Sequence, residues 1–449
     1  MRRSVARAAL RAGAPGATIG HPMERERKTG IMRPAAPRRS LLAAIAPLIA
    51  GNLSPRAAAA QSSVAPAAAA EWRFGALYPL SGALALLGDE SYRGLEMAVE
   101  ERNAAGGLLG RPIRLIRADA NDQAAAVNEA RRLMGQERVS VLFGTYGSTL
   151  SFAATQVSEA QGIPFFELGA IADSITERGF RNLYRTCPRA SDFARVSAEA
   201  VAEILPGLLG IPRATLRVAI LHEDGLYGTS VAEFQAARLR EANIQLVEGV
   251  AYPTRTADLG PAVQRLREAS ADVLLHTAGQ NDVVLLFRTL REAGWRPRMI
   301  MGSGAGYSLT DTARTLGRAM DGVMNVDFTQ YAIAERLAPG NAAFAEAYKR
   351  RYGSDPRSGH SLANHFGARI AFDAIQRAGG TEKDRLRAAV LATTLPEGDS
   401  PTGWGAAFDE RGQNMRARPW LAQWQDGRLV TIHPEAAAVA PPRSRLGND

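Results

Sequence analysis

VSVLFGTYGSTLSFAA, residues 139–154, is the stretch that decides the fold class of this 449-residue chain. The apolar run predicts a buried strand, the glycine- and hydroxyl-rich segment predicts a loop, and the residues after it predict a helix. Such a loop offers hydroxyls and backbone N–H groups to an anion, because the first turn of a helix has unpaired donors. Three interpretations remain open at this point: a catalytic or nucleotide-binding loop, a ligand-binding clamp, and a capped helix that binds nothing.

The same succession of strand, loop and helix is repeated from Trp72 onward. WRFGALY, IRLIRAD, VSVLFG, IPFFELG and NLYRT read as one series of strands, and a second series begins with LRVAILHED. Two such series, with helices between the strands, predict an α/β protein with two Rossmann-like parallel-sheet lobes. The length of the chain also favours two lobes over one.

A second loop of the same type follows the strand ADVLLH. Its residues, TAGQ at Thr277–Gln280, match TYGS at Thr145–Ser148 in having a threonine and a glycine two residues apart. Ligands of open α/β sheets bind beyond the carboxyl ends of the strands. The two loops therefore predict a cleft with Gly279 and Gln280 on one wall, although either loop alone is explained as a tight turn.

The positive charge of the chain is confined to its beginning. Of the net charge of +9, residues 1–60 hold eleven Lys or Arg and two Glu, which leaves 43 basic and 43 acidic residues in the remainder. This balance gives no reason to expect a nucleic-acid partner. Arginines followed by LLAAIAPLIAG and small residues predict a cleavable export signal over about 32–60, of the Sec or twin-arginine type, with Met1, Met23 or Met32 as its start.

Motifs for catalysis, cofactors and metals are missing. GTYGS lacks the length and lysine of a Walker loop, GSGAG at 302–306 breaks the dinucleotide spacing, and no GxSxG elbow occurs. The histidines show no metal-binding spacing. His360 and His365 are interpreted as surface or capping residues, and His222 and His276 as strand-end residues that face the cleft. We therefore predict no enzyme activity, no cofactor and no metal.

The single cysteine, Cys187, excludes an intramolecular disulfide. It is interpreted as a buried, unreactive thiol. An exported α/β chain with hydroxyl-rich loops and no catalytic motif predicts a solute receptor that closes around its ligand.

At this point the sequence resembles the leucine/isoleucine/valine-type periplasmic binding proteins, the substrate receptors of ABC importers with the type I fold. The resemblance rests on RGLEMAVEERNAAGGLLGR, GTYGSTLSFAATQ, GIPFFELGA, HEDGLYGTS, ADVLLHTAG, FAEAYKRRYGSDP and FDERG, in this order. It implies a three-strand hinge, with lobe 1 at 72–190 and 327–400 and lobe 2 at 191–326 and 401–432. The remaining residues, 433–449, are predicted to form a flexible tail.

The resemblance also implies where a ligand carboxylate binds. Ser148 matches the serine that holds it, with Tyr146, Gly147 and Thr149 beside it in the loop. Gly169 and Ala170 match residues that contact the ligand through their backbone.

Two departures from the family pattern concern the other end of the ligand. The first departure is Ile171, which stands where the family has a hydrogen-bonding threonine. Tyr227, in contrast, matches the family aromatic residue that closes over the ligand. The acid that pairs with the ammonium group falls near Ser303–Gly304, where this chain has no acid. Glu167, His222, Gln280 and Asp282 are the candidate substitutes.

The ligand class and the function thus retain alternatives. An amino acid is the family default, while an aromatic or aliphatic acid and an amide fit the missing acid as well. The expected partner is the membrane permease of an ABC importer, with the receptor a periplasmic monomer. The competing functions are a ligand-sensing regulator of the same fold and a hydrolase that uses Ser148.

Overall fold

The computed structural model describes residues 71–448. The predicted leader, with its export signal and its alternative start sites, lies outside the described residues. Within the described part, two large sheets are flanked by helices, as the alternating sequence pattern predicts.

The first sheet has five parallel strands in the order β2-β1-β3-β4-β5. Apart from the edge strand β2, its strands are mostly buried, which explains their largely apolar sequences. They are β1 (Trp72–Tyr78), β2 (Ile113–Asp119), β3 (Val141–Gly144), β4 (Phe165–Glu167) and β5 (Leu183–Arg185).

The second sheet has seven strands in the order β14-β13-β10-β9-β8-β6-β7. The strands β6 to β10 are parallel, and a C-terminal hairpin adds two antiparallel strands beside β10. The members are β6 (Arg217–Glu223), β7 (Gln245–Tyr252), β8 (Val273–Thr277), β9 (Met299–Gly302), β10 (Met324–Asp327), β13 (Trp420–Gln425) and β14 (Arg428–His433). A separate two-stranded ladder pairs β11 (Thr394–Leu395) with β12 (Ala406–Ala407).

Helices cover both faces of the two sheets. They are α1 (Ala85–Ala104), α2 (Gln123–Gly135), α3 (Ser148–Gln161), α4 (Ala190–Glu199), α5 (Leu205–Leu209), α6 (Leu226–Glu241), α7 (Gly260–Glu268), α8 (Gln280–Glu292), α9 (Thr310–Leu316), α10 (Asn341–Tyr352), α11 (His360–Ala378) and α12 (Lys383–Leu391). A π-helical turn joins α4 to α5. The apolar side chains on either face of each sheet form four main core clusters.

Three late helices return to the first sheet after β10 of the second. The helix α11 packs along α1, and α10 and α12 pack beside them. The crossing of α1 and α11 depends on Gly94, because a Cβ there would lie 1.9 Å from the carbonyl oxygen of Ser361. The chain therefore passes between the two lobes more than once, which places strand ends of both lobes at one cleft.

The segment after β14 differs from the predicted flexible tail. Its contacts are specific: Gln423 Nε2 donates to the carbonyl of Arg443 at 2.8 Å, and the Arg443 N–H donates back to Gln423 Oε1 at 2.7 Å. Ala437 is fully buried. The composition of this segment, rich in Ala and Pro, suggested disorder because it does not reveal that amide side chains on β13 bind its backbone.

Candidate ligand-binding site

A cavity of about 570 Å³ lies at the carboxyl ends of the strands of both sheets. This volume is in the usual range for small-molecule sites. Residues from the loops after β3 and β4 line one side, and residues from the loops after β6, β8, β9 and β10 line the other. The cavity is therefore the cleft that the paired loops predict.

Nine of the ten residues predicted from the sequence line this cavity. They are Tyr146, Gly147, Ser148, Thr149, Gly169, Ile171, Tyr227, Gly279 and Gln280. Ala170 is the exception: it does not line the cavity, and its carbonyl oxygen accepts from Arg185 Nη1 at 3.3 Å. The reason is local, because alternate residues of this loop point to opposite sides and Ala170 points into the protein core.

Ser148 begins α3 with its hydroxyl at the cavity wall. The N-cap, Gly147, has no side chain to bind the first turn, so the N–H groups of Ser148, Thr149 and Leu150 have no intrahelical partner. Ser148 Oγ accepts from the N–H of Ala172 at 3.2 Å, which leaves its own proton free to donate. Together with the helix dipole, these donors form an anion-binding end of the cavity.

The loop after β4 contributes a further donor to this end. Ile171 lines the cavity, and among the described residues its backbone N–H has no hydrogen-bond partner, while its carbonyl accepts from Ala190 at 2.7 Å. The loss of the family threonine side chain therefore does not remove the backbone donor at this position.

Glu167 holds this loop in place and does not face the ligand. Its carboxylate accepts from the N–H groups of Gly169, Ala170 and Thr145, each at 2.8 Å, and from Ser151 Oγ at 2.5 Å. Burial raises the pKa of Glu167, while these four hydrogen bonds act in the opposite direction. Because the carboxylate does not line the cavity, it is not available as the partner of a ligand ammonium group.

The opposite wall is formed by the second sheet. Tyr227, near the start of α6, donates its hydroxyl to the carbonyl of Ser303 at 2.5 Å. Gly279 caps α8 without a side-chain hydrogen bond, and Gln280 is the first helical residue. The N–H of Leu226 donates to Thr149 Oγ1 at 3.4 Å, a direct contact between the two walls.

The histidines differ from the sequence interpretation. His222 and His276 do not line the cavity; His276 is fully buried in hydrogen bonds to Tyr252 and Tyr307, at 3.1 and 2.6 Å. His365 is buried and pairs with Glu101, so it is not a surface residue. A position at the carboxyl end of a parallel strand therefore does not by itself place a side chain in the cavity, because alternate side chains point into the core.

Asp327 is a cavity residue that the motif comparison missed. It ends β10, and its carboxylate accepts hydrogen bonds from Ser308 Oγ, from Asn325 Nδ2 and Gln330 Nε2 at 3.0 Å each, and from the N–H of Phe328 at 2.7 Å. Burial raises its pKa to about 7, against the effect of these donors. The signal was present in the sequence, because the strand-like segment GVMNVD ends in an acidic residue.

His360 is the second missed residue. The sequence interpretation was a surface or capping residue; the structure places His360 first in α11, after the N-cap Gly359, and buries it. Its ring lies between Tyr146 and Phe328, with centroid distances of 5.3 and 4.9 Å. Burial lowers the pKa of His360 to about 3, so its imidazole is neutral at pH 7.

Two further carboxylates line the wall of the second lobe. Glu223 binds the backbone of the α6 start, accepting from Gly225 and Gly228 at 2.6 Å each. Asp282 is half-buried, and burial together with the nearby Glu223 raises its pKa to about 6. Of the four candidate substitutes, Gln280 and Asp282 line the cavity, and Glu167 and His222 do not; Asp282 is the carboxylate of the two.

The described residues also bear on metal binding, membrane insertion and thiol chemistry. Between residues 71 and 448, no group of three or more His, Cys, Asp or Glu side chains is placed to hold a metal ion. Over the same range, no helix is long and apolar enough to span a membrane. Cys187 is fully buried and burial raises the pKa of its thiol, which confirms the buried cysteine.

The two parallel-sheet lobes and the donor-lined cavity at their strand ends define a solute-binding protein of the bilobed α/β class. A family model described as "Periplasmic binding protein" matches residues 71–428. The chain belongs to this periplasmic binding protein family.

Relatives in the genus Brucella are similar over most of the chain. It is 47% identical over 387 residues to "Leu/Ile/Val-binding protein homolog 8" of Brucella abortus (strain 2308), which covers 86% of this chain and 96% of that protein. It is 45% identical over 384 residues to "Leu/Ile/Val-binding protein homolog 7" of Brucella suis biovar 1 (strain 1330), covering 85% and 96%.

Solved structures support the fold at lower identity. The branched-chain amino acid transporter substrate-binding protein LivJ from Streptococcus pneumoniae, in complex with isoleucine, aligns with a TM-score of 0.70 and 20% identity over 83% of this chain and all of that one. A solute-binding protein of an ABC transporter from R. palustris, in complex with benzoate, aligns with a TM-score of 0.69 and 20% identity, covering 84% and 99%. These similarities confirm the two-lobed fold.

Proposed function

We propose that this protein is the extracytoplasmic receptor of an ABC importer and binds a small solute that carries a carboxylate. The observation that carries the proposal is the anion-binding end of the cavity, where the free proton of Ser148 and the unpaired N–H groups of α3 and Ile171 converge. A carboxylate placed there accepts several charge-assisted hydrogen bonds away from bulk water.

The names of the relatives make an amino acid the first candidate. The opposite wall supplies an acceptor for the ammonium group of such a ligand, because the carboxylate Asp282 lines the cavity. Binding then requires only oriented hydrogen bonds and closure of the two lobes, and we infer no catalytic step. The receptor acts as a periplasmic monomer, exported by the predicted signal, and releases its solute to the permease.

Ligand binding by the purified protein without its leader, residues 61–449, tests the proposal. We expect calorimetric binding of at least one probe from a panel of L-leucine, L-asparagine, benzoate and acetamide, with one site per chain and with weaker binding by Ser148→Ala. If only acetamide binds, the carboxylate assignment fails; if none binds, the receptor function for small acids fails.

A hydrolase that uses Ser148 is the second candidate from the sequence. The geometry does not favour it, because the hydroxyl of Ser148 binds the backbone of Ala172 and no histidine contacts it among the described residues. Turnover of an ester or amide that disappears in Ser148→Ala would reverse this assignment.

A further inference from the structure

Two buried polar side chains line the cavity and form no hydrogen bond with the loop that carries Ser148. Asp327 is 1% exposed and His360 is 4% exposed, and both line the cavity. Gln330 connects them: its Nε2 donates to Asp327 Oδ2 at 3.0 Å, and its Oε1 accepts at 3.2 Å from the N–H of Gly359, the residue before His360. The two side chains therefore keep a fixed relative position.

Asp327 presents one acceptor to the cavity. Three side chains donate to its Oδ2, whereas its Oδ1 accepts only from the N–H of Phe328. Oδ1 lies on the side of Gly304, 3.4 Å from the position that a Cβ of residue 304 would occupy. Since a carboxylate oxygen accepts about two hydrogen bonds, Oδ1 has capacity for one ligand donor.

His360 presents one donor. Its Nδ1 is 3.0 Å from Ser358 Oγ, and this oxygen already accepts from the backbone N–H of His360 at 3.4 Å. Among the described residues Ser358 Oγ has no other acceptor for its proton, so we assign that proton to the bond with Nδ1 and the ring proton to Nε2. Nε2 has no partner among the described residues, and the neutral ring keeps this arrangement across physiological pH.

An aliphatic side chain would leave both groups unpaired when the lobes close. An unpaired buried polar group costs about 1–3 kcal/mol, and a site built for hydrogen bonds discriminates strongly against a ligand that lacks them. The aromatic rings of Phe193, Phe328 and Tyr146 in this part of the cavity exclude water that could replace the missing partners.

From this arrangement we infer that Asp327 and His360 bind a primary carboxamide of the ligand. The amide nitrogen donates to Asp327 Oδ1, and the amide oxygen accepts from His360 Nε2. The inference rests on the proposed function, since the carboxylate of the same ligand binds at Ser148. The ligand class is a carboxylic acid that carries a carboxamide, and not the purely aliphatic amino acids named for the relatives.

Three amino acids of nearly the same shape test the inference. L-asparagine, L-leucine and L-aspartate differ at the branch, which ends in an amide, two methyl groups or a carboxylate; L-glutamine extends the series by one carbon. By calorimetry at pH 7.5, we expect L-asparagine or L-glutamine to bind at least tenfold more tightly than L-leucine and L-aspartate. Tighter binding of L-leucine than of both amides overturns the inference and leaves the proposed function standing.

The variant His360→Phe tests the assigned residue, because phenylalanine retains the ring packing and removes the donor. We expect it to lose most of the preference for the amide over L-leucine while it retains a cooperative melting transition. His365→Phe, at the other buried histidine of α11, is the matched control and should retain the preference. An unchanged preference in folded His360→Phe overturns the role of His360.

If His360→Phe shows no cooperative melting transition, Asp327→Asn replaces it as the test. Asparagine preserves the shape of the side chain, but it replaces a carboxylate that only accepts hydrogen bonds with an amide that also donates them. The same loss of amide preference is expected, and an unchanged preference overturns the pair. If wild-type protein binds none of the four amino acids and also fails with benzoate, the proposed function fails together with this inference.

Discussion

The carboxylate of Asp327 occupies the space beside Gly304, where a side chain on residue 304 would otherwise project. A Cβ at Gly304 would lie 3.4 Å from Asp327 Oδ1 and 3.4 Å from Phe193 Cε1. A carboxylate from the neighbouring strand β10 therefore lies beside the position at which the family resemblance implies an acid. The absence of a side chain at Gly304 leaves the space that the carboxylate of Asp327 occupies.

This relationship predicts the effect of Gly304→Ala. The backbone at Gly304 has φ 81° and ψ −146°, a region that side-chain-bearing residues rarely adopt. We expect a loss of stability of about 1–3 kcal/mol from backbone strain, and weaker ligand binding because the new methyl group displaces Asp327. Thermal melting and calorimetry measure the two effects.

Gly249→Ala is the control for this substitution. A Cβ at Gly249, on β7, would meet no atom within 4 Å, and its φ is not positive. The prediction fails if the two alanine variants melt at the same temperature.

Removing the hydroxyl of Ser148 tests the anion-binding end. Ser148→Ala loses the donor to the ligand carboxylate and leaves the N–H of Ala172 unpaired. A hydrogen bond to a charged group contributes about 1.5–3 kcal/mol, so we expect affinity for a carboxylate ligand to fall roughly tenfold to a hundredfold. Ser140→Ala, before the opposite end of β3, should bind normally; equal affinities of both variants would contradict the role of Ser148.

How much of this site could be predicted from the sequence depends on the kind of signal. The order of strands and helices, and the loops GTYGS and TAGQ, follow from local periodicity and turn residues, and the structure places both loops at the cavity. Asp327 and His360 are distant in sequence and come from a strand end and a helix start. Their proximity arises only after the chain has returned from the second sheet to the first.

Side-chain direction was the other feature that the sequence could not supply. His276 and Asp327 both lie near the carboxyl ends of parallel strands, yet only Asp327 faces the cavity. Successive residues of a strand point to opposite faces, so a shift of one residue exchanges a ligand contact for a core contact. Similarly, Glu167 has the chemistry of an ammonium partner but is used by the backbone of its own loop.

The acidity of Asp327 predicts a pH dependence of binding. Its pKa is about 7 because burial disfavours the charged form, and only the ionised carboxylate accepts fully from a ligand nitrogen. Ser308, Asn325 and Gln330 donate to this carboxylate, and the hydroxyls of Tyr146 and Tyr227 interact with it electrostatically. Glu223 and neutral His360 line the same cavity. We expect the affinity for a nitrogen-bearing ligand to fall several-fold from pH 8 to pH 6, with proton release on binding near pH 7.

The stability of the unliganded protein depends on pH in the opposite direction to the ligand affinity. Since the folded pKa of Asp327 lies above the ordinary value of 3.8, protonated Asp327 favours the folded state, and its contribution is lost as pH rises through about 7. The melting temperature of the wild type relative to Asp327→Asn should therefore decrease from pH 5.5 to pH 8. For ligand binding, calorimetry in buffers of different ionisation enthalpy counts the protons that are released. An affinity that does not change with pH would contradict the role of Asp327 in binding.

A salt bridge across the cleft predicts a contribution to closure. Arg357, before α11, pairs with Asp89 of α1 at 3.3 Å and with Asp311 of α9 at 3.4 Å, and its carbonyl accepts from Thr310 at 3.1 Å. Asp89 belongs to the lobe of the first sheet and Asp311 to that of the second, so Arg357 joins the lobes in this closed arrangement. Because the ion pairs are partly exposed, we expect about 0.5–1 kcal/mol in favour of the closed state.

Arg357→Gln should therefore release ligand two- to fivefold faster and raise the radius of gyration of the unliganded protein in solution scattering. Both effects should diminish at 0.5 M salt, where the wild-type ion pairs are screened. Arg314→Gln is the matched control, because Arg314 pairs with the same Asp311 at 3.4 Å but lies on α9 itself and does not cross the cleft. Equal release rates for the two variants would show that loss of charge beside Asp311, and not the link between the lobes, sets the rate.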